Sequence, residues 1–129
     1  MAKRTVLDIM KNQQRSLFQQ GKFKSAAGLT LTWKIECDAL TPDDWDTLAF
    51  MLVERAQPFG SVAGVPRGGT ALANALRPYA TEGPRLLVDD VWTTGTTLAK
   101  YQLPDDQIWV VFARGPLKNG AKALFTLSP

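Results

Sequence analysis

The chain has 129 residues, of which 45% are hydrophobic and 21% charged, and this balance excludes disordered and fibrous proteins. It contains no histidine and a single cysteine, Cys37, so a Ser-His catalytic triad, a zinc site and an intramolecular disulfide are implausible. Because the net charge of +3 is modest and scattered, it suits an anionic small molecule at least as well as nucleic acid. Without a membrane span or signal peptide in the sequence, we expect one cytoplasmic domain covering residues 1–129.

Two elements are predicted in the first forty residues. The segment from Thr5 to about Gln19 has apolar residues at helical spacing, which predicts an amphipathic helix closed by Gly21. From Leu29 to Glu36 the chain alternates strictly between apolar and polar residues, which predicts a half-exposed strand. We therefore expect residues 1–40 to form a small hood or flap and residues 41–129 to form the core.

Helices and buried strands alternate in the remaining residues. Thr41-Pro42-Asp43-Asp44 is typical of a helix start, because threonine caps, proline is preorganised and the carboxylates favour the positive end of the helix dipole. That helix is predicted to run to about Gln57. The other predicted elements are strands over 61–65, 86–88, 108–113 and 123–127 and helices over 71–76 and 96–101. This order predicts right-handed crossovers and an α/β fold, with a parallel sheet flanked by helices.

The loop after the first core strand has the composition of an anion-binding loop. It reads Gly64-Val65-Pro66-Arg67-Gly68-Gly69 and stands between a predicted strand and a predicted helix. Gly68 and Gly69 allow the backbone to approach a ligand closely, and Arg67 offers a planar fork of donors to phosphate oxygens. The alternative is an ordinary Pro-Gly turn that carries a surface arginine.

A second strand-loop-helix segment runs from Leu86 to Thr97. Leu86 to Val88 are predicted to form a buried parallel strand, and ligands bind at the carboxyl ends of such strands. Asp89 and Asp90 follow, and they can accept hydrogen bonds from ribose hydroxyls directly or through a hydrated cation. Gly95 allows a tight turn, and the threonines around it, with the amides of the next helix, can surround a phosphate. The alternative, a strand ending in a solvated acidic turn, does not explain the whole twelve-residue order.

This second segment resembles the phosphoribosyl pyrophosphate (PRPP) signature of the type I phosphoribosyltransferases. The resemblance implies that the acidic pair holds the ribose hydroxyls and that the Thr-Thr-Gly-x-Thr loop holds the 5′-phosphate. It identifies the loop around Arg67 as the pyrophosphate loop, which in this family often contains an unusual peptide conformation. The implied PRPP-binding residues are Val65, Pro66, Arg67, Gly68, Gly69, Asp89, Asp90, Thr93, Thr94, Gly95, Thr96 and Thr97.

Two flanking segments resemble orotate phosphoribosyltransferases in particular. Residues 21–40 are similar to the hood segment of those enzymes, and the polar face of the strand in this segment carries Lys34. Phe112-Ala113-Arg114-Gly115 is similar to an Asp-Arg element whose arginine contacts the base, with Ala113 in place of the aspartate. The resemblance thus implies that Lys34 and Arg114 contact the base. A solvated lysine and a surface arginine stay open as alternatives.

The chain departs from the family just before the PRPP signature. Complete members usually place there a further strand and a long mobile loop that closes over PRPP, bearing a catalytic lysine in orotate enzymes. Only seven residues, Pro78 to Pro84, are available here, so this is a compact form without the long loop. Closure of the site and exclusion of water are therefore in doubt, and catalysis with them.

The leading hypothesis is a phosphoribosyltransferase of nucleotide metabolism or salvage, which is a pentosyltransferase. It would bind PRPP with Mg²⁺, transfer the 5-phosphoribosyl group to a nucleobase such as orotate and release pyrophosphate. Asp89, Asp90 and Arg67 are the candidate catalytic residues. The two carboxylates hold Mg²⁺ through water or ribose hydroxyls, while the arginine neutralises the leaving pyrophosphate.

Two other functions are weighed against this one. The first is a non-catalytic PRPP or nucleotide sensor that regulates a partner, which the short connection favours. The second is nucleic-acid binding, which is disfavoured because it rests only on a basic N-terminal third. The residues concerned are Lys3, Arg4, Lys11, Arg15, Lys22 and Lys24. Small-molecule partners are therefore expected, a homodimer is compatible with the sequence, and no membrane partner is expected.

Overall fold

The computed structural model describes residues 16–24, 28 and 30–127, and the chain divides into two compact units. The first unit is Met1–Thr41 and the second is Pro42–Pro129. A two-stranded antiparallel sheet lies in the first and a four-stranded sheet in the second. That the two units act as one domain stays a prediction.

The first unit contains a β-hairpin of β1 (Phe18–Lys24) and β2 (Thr30–Ile35). Strand β2 confirms the strand predicted from the alternating residues. Strand β1 shows that the predicted helix does not continue to Gln19, and residues 5–15 of that prediction lie outside the described residues. The local sequence did not anticipate that Phe18 pairs with Ile35 across the hairpin. Gly21 lies at the register shift of β1, where its φ of +152° leaves room for the ring of Phe23.

A short 3₁₀ helix, Cys37–Ala39, follows the hairpin. Its first turn is capped by Glu36, whose side chain accepts a hydrogen bond from the amide of Asp38 at 3.3 Å. The amide of Glu36 also donates to the carbonyl of Leu17 at 2.6 Å, which extends the pairing of the hairpin by one further contact.

The second unit confirms the predicted α/β fold. Its four strands are parallel and follow the order β3-β4-β5-β6. The elements in chain order are α1 (Pro42–Arg55), β3 (Ser61–Gly64), α2 (Thr70–Leu76), a 3₁₀ helix (Arg77–Tyr79), β4 (Arg85–Trp92), α3 (Thr96–Ala99), β5 (Gln107–Ala113) and β6 (Lys122–Thr126). None of the helices within the described ranges has an apolar stretch long enough to cross a membrane.

The core lies around the two central strands of this sheet. Leu86, Leu87 and Val88 of β4 are fully buried, as are Val110 and Val111 of β5. Strands that are covered on both faces need apolar side chains on both, and this is why β4 and β5 appear in the sequence as continuous apolar runs. Helix α1 packs on α2, and α2 packs on β3 and β4, so these helices cover the sheet beside the first strand-loop-helix segment.

The short connection before β4 is fixed at the amino ends of two strands. The amide of Thr81 donates to the carbonyl of Phe59 at 2.8 Å, and the amide of Gly60 donates to the carbonyl of Pro84 at 3.0 Å. The backbone of Gly83, at φ +127°, packs closely against a neighbouring backbone segment. A Cβ on this residue would lie 2.6 Å from a backbone oxygen of that segment. Because these residues immediately precede β3 and β4, the connection lies at the end of the sheet opposite the carboxyl ends of those strands.

Candidate functional site

The acidic pair lies inside β4, and the prediction that this strand ends at Val88 is wrong. Strand β4 continues to Trp92 because its pairing with β5 extends to that residue, whereas its pairing with β3 stops at Val88. Asp89 and Asp90 therefore stand where β4 projects beyond β3. We call this the step between β3 and β4, because β3 no longer pairs with β4 beyond Val88.

The first glycine-rich loop crosses that step and meets the acidic pair. The amide of Val65 donates to the carbonyl of Val88 at 2.9 Å, so the loop begins where the β3–β4 pairing ends. The amide of Gly69 donates to the carbonyl of Val65 at 2.8 Å and closes the loop. A Cβ on Gly68 would lie only 2.5 Å from each carboxylate oxygen of Asp90. Two segments predicted from separate parts of the sequence are thus in direct contact.

The loop presents its middle residues to solvent and buries its ends. Val65 and Gly69 are buried, whereas Pro66, Arg67 and Gly68 are exposed. The peptide bond between Pro66 and Arg67 is cis, an unusual conformation of the kind that the family resemblance implies. The arginine is therefore carried at an exposed turn whose two ends are anchored in the core.

The two carboxyl groups of the acidic pair lie in different environments. Asp89 is 8% exposed, and its Oδ1 accepts the amide hydrogen of Asp90 at 2.8 Å. Burial, followed by the neighbouring Asp90 carboxyl, raises the pKa of Asp89 to about 8. Asp90 is less buried, and its Oδ1 accepts the amide hydrogen of Val91 at 2.7 Å. Burial therefore favours the protonated form of Asp89 in the ligand-free protein.

The acidic pair provides a suitable donor set for Mg²⁺ bound together with a phosphorylated ligand. Among the described residues no group of three or more His, Cys, Asp or Glu side chains could form a complete metal cage. Mg²⁺ commonly takes one or two carboxylates from the protein and its other oxygens from water and substrate phosphates. Asp89 and Asp90 fit that pattern, since the Asp90 carboxylate borders the loop that bears Arg67 and Asp89 is the adjacent residue of β4.

The threonine-rich loop lies directly after the acidic pair. Gly95 has φ +81°, a left-handed conformation that favours glycine, and its carbonyl accepts the amide hydrogen of Ala99 at 3.0 Å. The hydroxyl oxygens of Thr94 and Thr96 are 2.8 Å apart. Helix α3 ends at Ala99, two residues earlier than predicted. Hydroxyls and first-turn amides are thus concentrated in one short turn.

Solved structures with the same architecture identify the fold. An orotate phosphoribosyltransferase from Aeropyrum pernix matches with a TM-score of 0.67 and 21% identity, covering 88% of this chain and 90% of that one. The UMP synthase of Leishmania donovani matches at 0.68 and 18%, covering 94% of this chain and 36% of that one. The Mycobacterium tuberculosis H37Rv orotate phosphoribosyltransferase in complex with inorganic phosphate matches at 0.61 and 14%, covering 89% and 92%. The chain has the type I phosphoribosyltransferase fold.

The fold resembles that of the orotate enzymes in particular, as the sequence predicted. Neither a protein-family model nor a curated sequence matches the chain, so the likeness is one of structure. Within this phosphoribosyltransferase fold, the loop of residues 64–69 and the acidic pair occupy neighbouring carboxyl ends of parallel strands, where ligands bind in open α/β sheets.

The two predicted base-contacting residues lie in different units. Arg114 follows β5 and is 5% exposed, so the alternative of a surface arginine is wrong. Burial lowers the pKa of its guanidinium group. Lys34 belongs to the hairpin, where its Nζ lies 3.1 Å from Glu36 Oε2 and 4.8 Å from the centroid of the Phe23 ring. Contact of either residue with a base stays a prediction.

Sequence reasoning missed one residue of the site, Trp92. It occupies the position between the acidic pair and the threonines, where the motif itself carries no chemical requirement. The ring of Trp92 lies against Gly95, and its indole Nε1 donates to the carbonyl of Pro116 at 3.1 Å. A large aromatic residue beside a glycine in a tight turn was the signal that could have pointed to it.

Proposed function

We propose that this chain binds PRPP with Mg²⁺ at the step between β3 and β4 and transfers the 5-phosphoribosyl group to a nucleobase. The single observation that carries the proposal is the approach of Gly68 to the Asp90 carboxylate. It joins an arginine-bearing loop, suited to pyrophosphate, with carboxylates suited to ribose hydroxyls and Mg²⁺. The orotate phosphoribosyltransferases among the structural neighbours support a pyrimidine such as orotate as the acceptor.

Different residues of the site contact different parts of PRPP. Asp89 and Asp90 hold the ribose hydroxyls and, through them or through water, Mg²⁺. Residues 93–97 hold the 5′-phosphate, and residues 65–69 hold the pyrophosphate, with Arg67 as the charged donor. When bound, Mg²⁺ neutralises charge on the pyrophosphate oxygens. Arg114 is the proposed contact to the base.

The transfer itself requires positioning and charge neutralisation more than acid-base chemistry. The bond between C1 of the ribose and the pyrophosphate oxygen breaks, and both electrons leave with pyrophosphate. A ring nitrogen of the base supplies the electron pair of the new C1–N bond, and the proton of that nitrogen passes to solvent. Since the sugar is cation-like between these events, Arg67 assists by stabilising the departing negative charge.

A non-catalytic PRPP or nucleotide sensor is the second candidate. It is favoured by the connection over residues 80–84, which is hydrogen-bonded to Phe59 and Gly60 at the amino ends of the strands. A segment fixed there cannot close over a ligand at the carboxyl edge, and an open site lets water compete with the base. The two candidates differ in chemistry while sharing the ligand.

Calorimetry and a base panel separate these functions. We expect PRPP to bind the protein in the presence of Mg²⁺, and we expect at least one base of a panel that includes orotate to be converted to its nucleotide with release of pyrophosphate. Binding without conversion of any base would reject the transferase and favour the sensor. Absence of PRPP binding would reject both.

Thr94→Val is expected to weaken PRPP binding by about 10- to 100-fold, because it removes a hydroxyl donor to a charged phosphate while preserving the shape of the side chain. Calorimetry with PRPP and Mg²⁺ measures the effect. Thr81→Val is the matched control, since Thr81 is an exposed threonine in the connection at the opposite end of the sheet. Unchanged affinity in Thr94→Val would contradict the assignment of the threonine loop to the 5′-phosphate.

Arg67→Ala is expected to weaken binding of PRPP and of free pyrophosphate by about 10- to 100-fold, since a charge-assisted contact is lost. Ribose 5-phosphate, which has no pyrophosphate, is expected to bind as it does to the wild type. Arg77→Ala is the control, because Arg77 is an exposed arginine hydrogen-bonded to Asn74. An equal loss for ribose 5-phosphate would show that Arg67 does not hold pyrophosphate specifically.

A further inference from the structure

The side chain of Trp92 packs against the threonine loop, residues 93–97. Trp92 is the last residue of β4, and its side chain is 3% exposed. The six-membered part of its ring lies so close to Gly95 that a Cβ there would be 2.5 Å from Cζ2 and 2.9 Å from Cζ3. Gly95 therefore rests directly on the indole, and any movement of the loop toward or away from a phosphate changes this contact.

The same residue holds the segment that follows β5. The indole Nε1 donates to the carbonyl of Pro116 at 3.1 Å, and the backbone carbonyl of Trp92 accepts the amide hydrogen of Arg114 at 2.7 Å. Gly115 lies between Arg114 and Pro116 in the chain. A Cβ on Gly115 would lie 2.7 Å from the carbonyl oxygen of Thr93, so the two backbones are in close contact. The segment of residues 114–116 is thus hydrogen-bonded to Trp92 at two points and packs against Thr93 at a third.

We propose that Trp92 is a positioning residue that couples occupancy of the threonine loop to the placement of Arg114. The inference rests on the proposed function, because it takes the loop as the 5′-phosphate site and Arg114 as a base contact. The indole is rigid and buried, so a displacement of Gly95 is passed through the ring to its N–H and from there to Pro116. The phosphate end of the ligand thereby sets the position of the arginine that meets the base.

Backbone and indole N–H resonances report this coupling directly, with ribose 5-phosphate as the probe. The chain has four tryptophans, and the Trp92 indole resonance is the one that Trp92→Phe removes. In the wild type we expect the amides of residues 94–97, the Trp92 indole and the Arg114 amide to shift together, with one apparent affinity. In Trp92→Phe we expect the loop amides to shift and the Arg114 response to be reduced, because the indole hydrogen bond to Pro116 is lost while the backbone hydrogen bond from the Arg114 amide to residue 92 remains.

Trp109→Phe is the matched control. Trp109 is also buried and its indole also donates within the chain, to Gln107 Oε1 at 3.1 Å, but it lies toward the start of β5. The Arg114 response is expected to survive in this variant. An Arg114 response of wild-type size in Trp92→Phe would overturn the proposal.

The wild-type titration tests the proposal even where Trp92→Phe does not fold. Shifts confined to the loop amides, with the Trp92 indole and the Arg114 amide unmoved, would reject the coupling and leave the proposed function standing. An absence of shifts throughout the loop would reject the 5′-phosphate site, and with it both the proposed function and the coupling.

Discussion

Replacing Gly68 with alanine is expected to weaken binding of PRPP with Mg²⁺ by at least about 100-fold, because two or more contacts of a charged carboxylate are lost together. The new Cβ would lie 2.5 Å from both carboxylate oxygens of Asp90, a separation that no folded protein sustains. The carboxylate must therefore rotate out of the step between β3 and β4. Its hydrogen bond from the amide of Val91 is then broken as well.

The fold is expected to survive this substitution. Gly68 is exposed, and it is not among the glycines with positive φ. The atoms in the way belong to the end of a side chain and not to backbone, so the clash is relieved by rotation of Asp90. An alanine at such a position also reduces the conformational freedom of the unfolded chain, which offsets part of any strain.

Thr70→Ala is the matched control for Gly68→Ala. It places alanine two residues further along, at the exposed first residue of α2. Calorimetry measures the affinity and thermal unfolding measures the stability of both variants. Wild-type affinity in Gly68→Ala would show that the loop and Asp90 do not share one ligand.

The second unit was predictable because its two central strands, β4 and β5, are buried on both faces. Strands β4 and β5 are recognisable in the sequence as continuous apolar runs, and the parallel arrangement of the strands follows from the helices predicted between strands. The end of β4 was not predictable, because it depends on pairing with β5 about twenty residues later. A carboxylate pair inside a strand goes against local preferences, and only the long-range hydrogen bonds to β5 overcome them.

The first strand of the hairpin, in contrast, could not be predicted from the local sequence. Leu17 and Phe18 fit both a helical and an extended pattern, and the decision between the two is made by pairing with residues of β2. In the site, the pairing of Gly68 with Asp90 could be anticipated from two strand-loop-helix segments at adjacent strands. The role of Trp92 could not, since it arises from contacts with Gly95 and Pro116 that no spacing encodes.

The free energy of unfolding is expected to decrease as the pH rises from about 4 to about 9, by up to about 1.4 kcal/mol per pH unit where the effect is steepest. Burial and the adjacent Asp90 carboxyl raise the pKa of Asp89 from 3.8 to about 8. Between these two values the folded protein holds a proton that the unfolded chain has already released. The unfolded state therefore binds fewer protons, stability falls with rising pH, and the decline ends once the pH passes the folded-state pKa.

Asp89→Asn isolates this contribution, because the amide keeps the shape and the accepting oxygen of the carboxyl group and carries no charge. Denaturant unfolding across this pH range measures the free energy of unfolding of each variant. The control is Asp46→Asn, a substitution on the exposed surface of α1. Relative to this control, the free energy of unfolding of Asp89→Asn is expected to change little with pH. At pH 9 the variant is expected to be more stable than the wild type by a few kcal/mol. Parallel curves for wild type and Asp89→Asn would mean that Asp89 is ionised throughout. Mg²⁺ would then bind at Asp89 without displacing a proton.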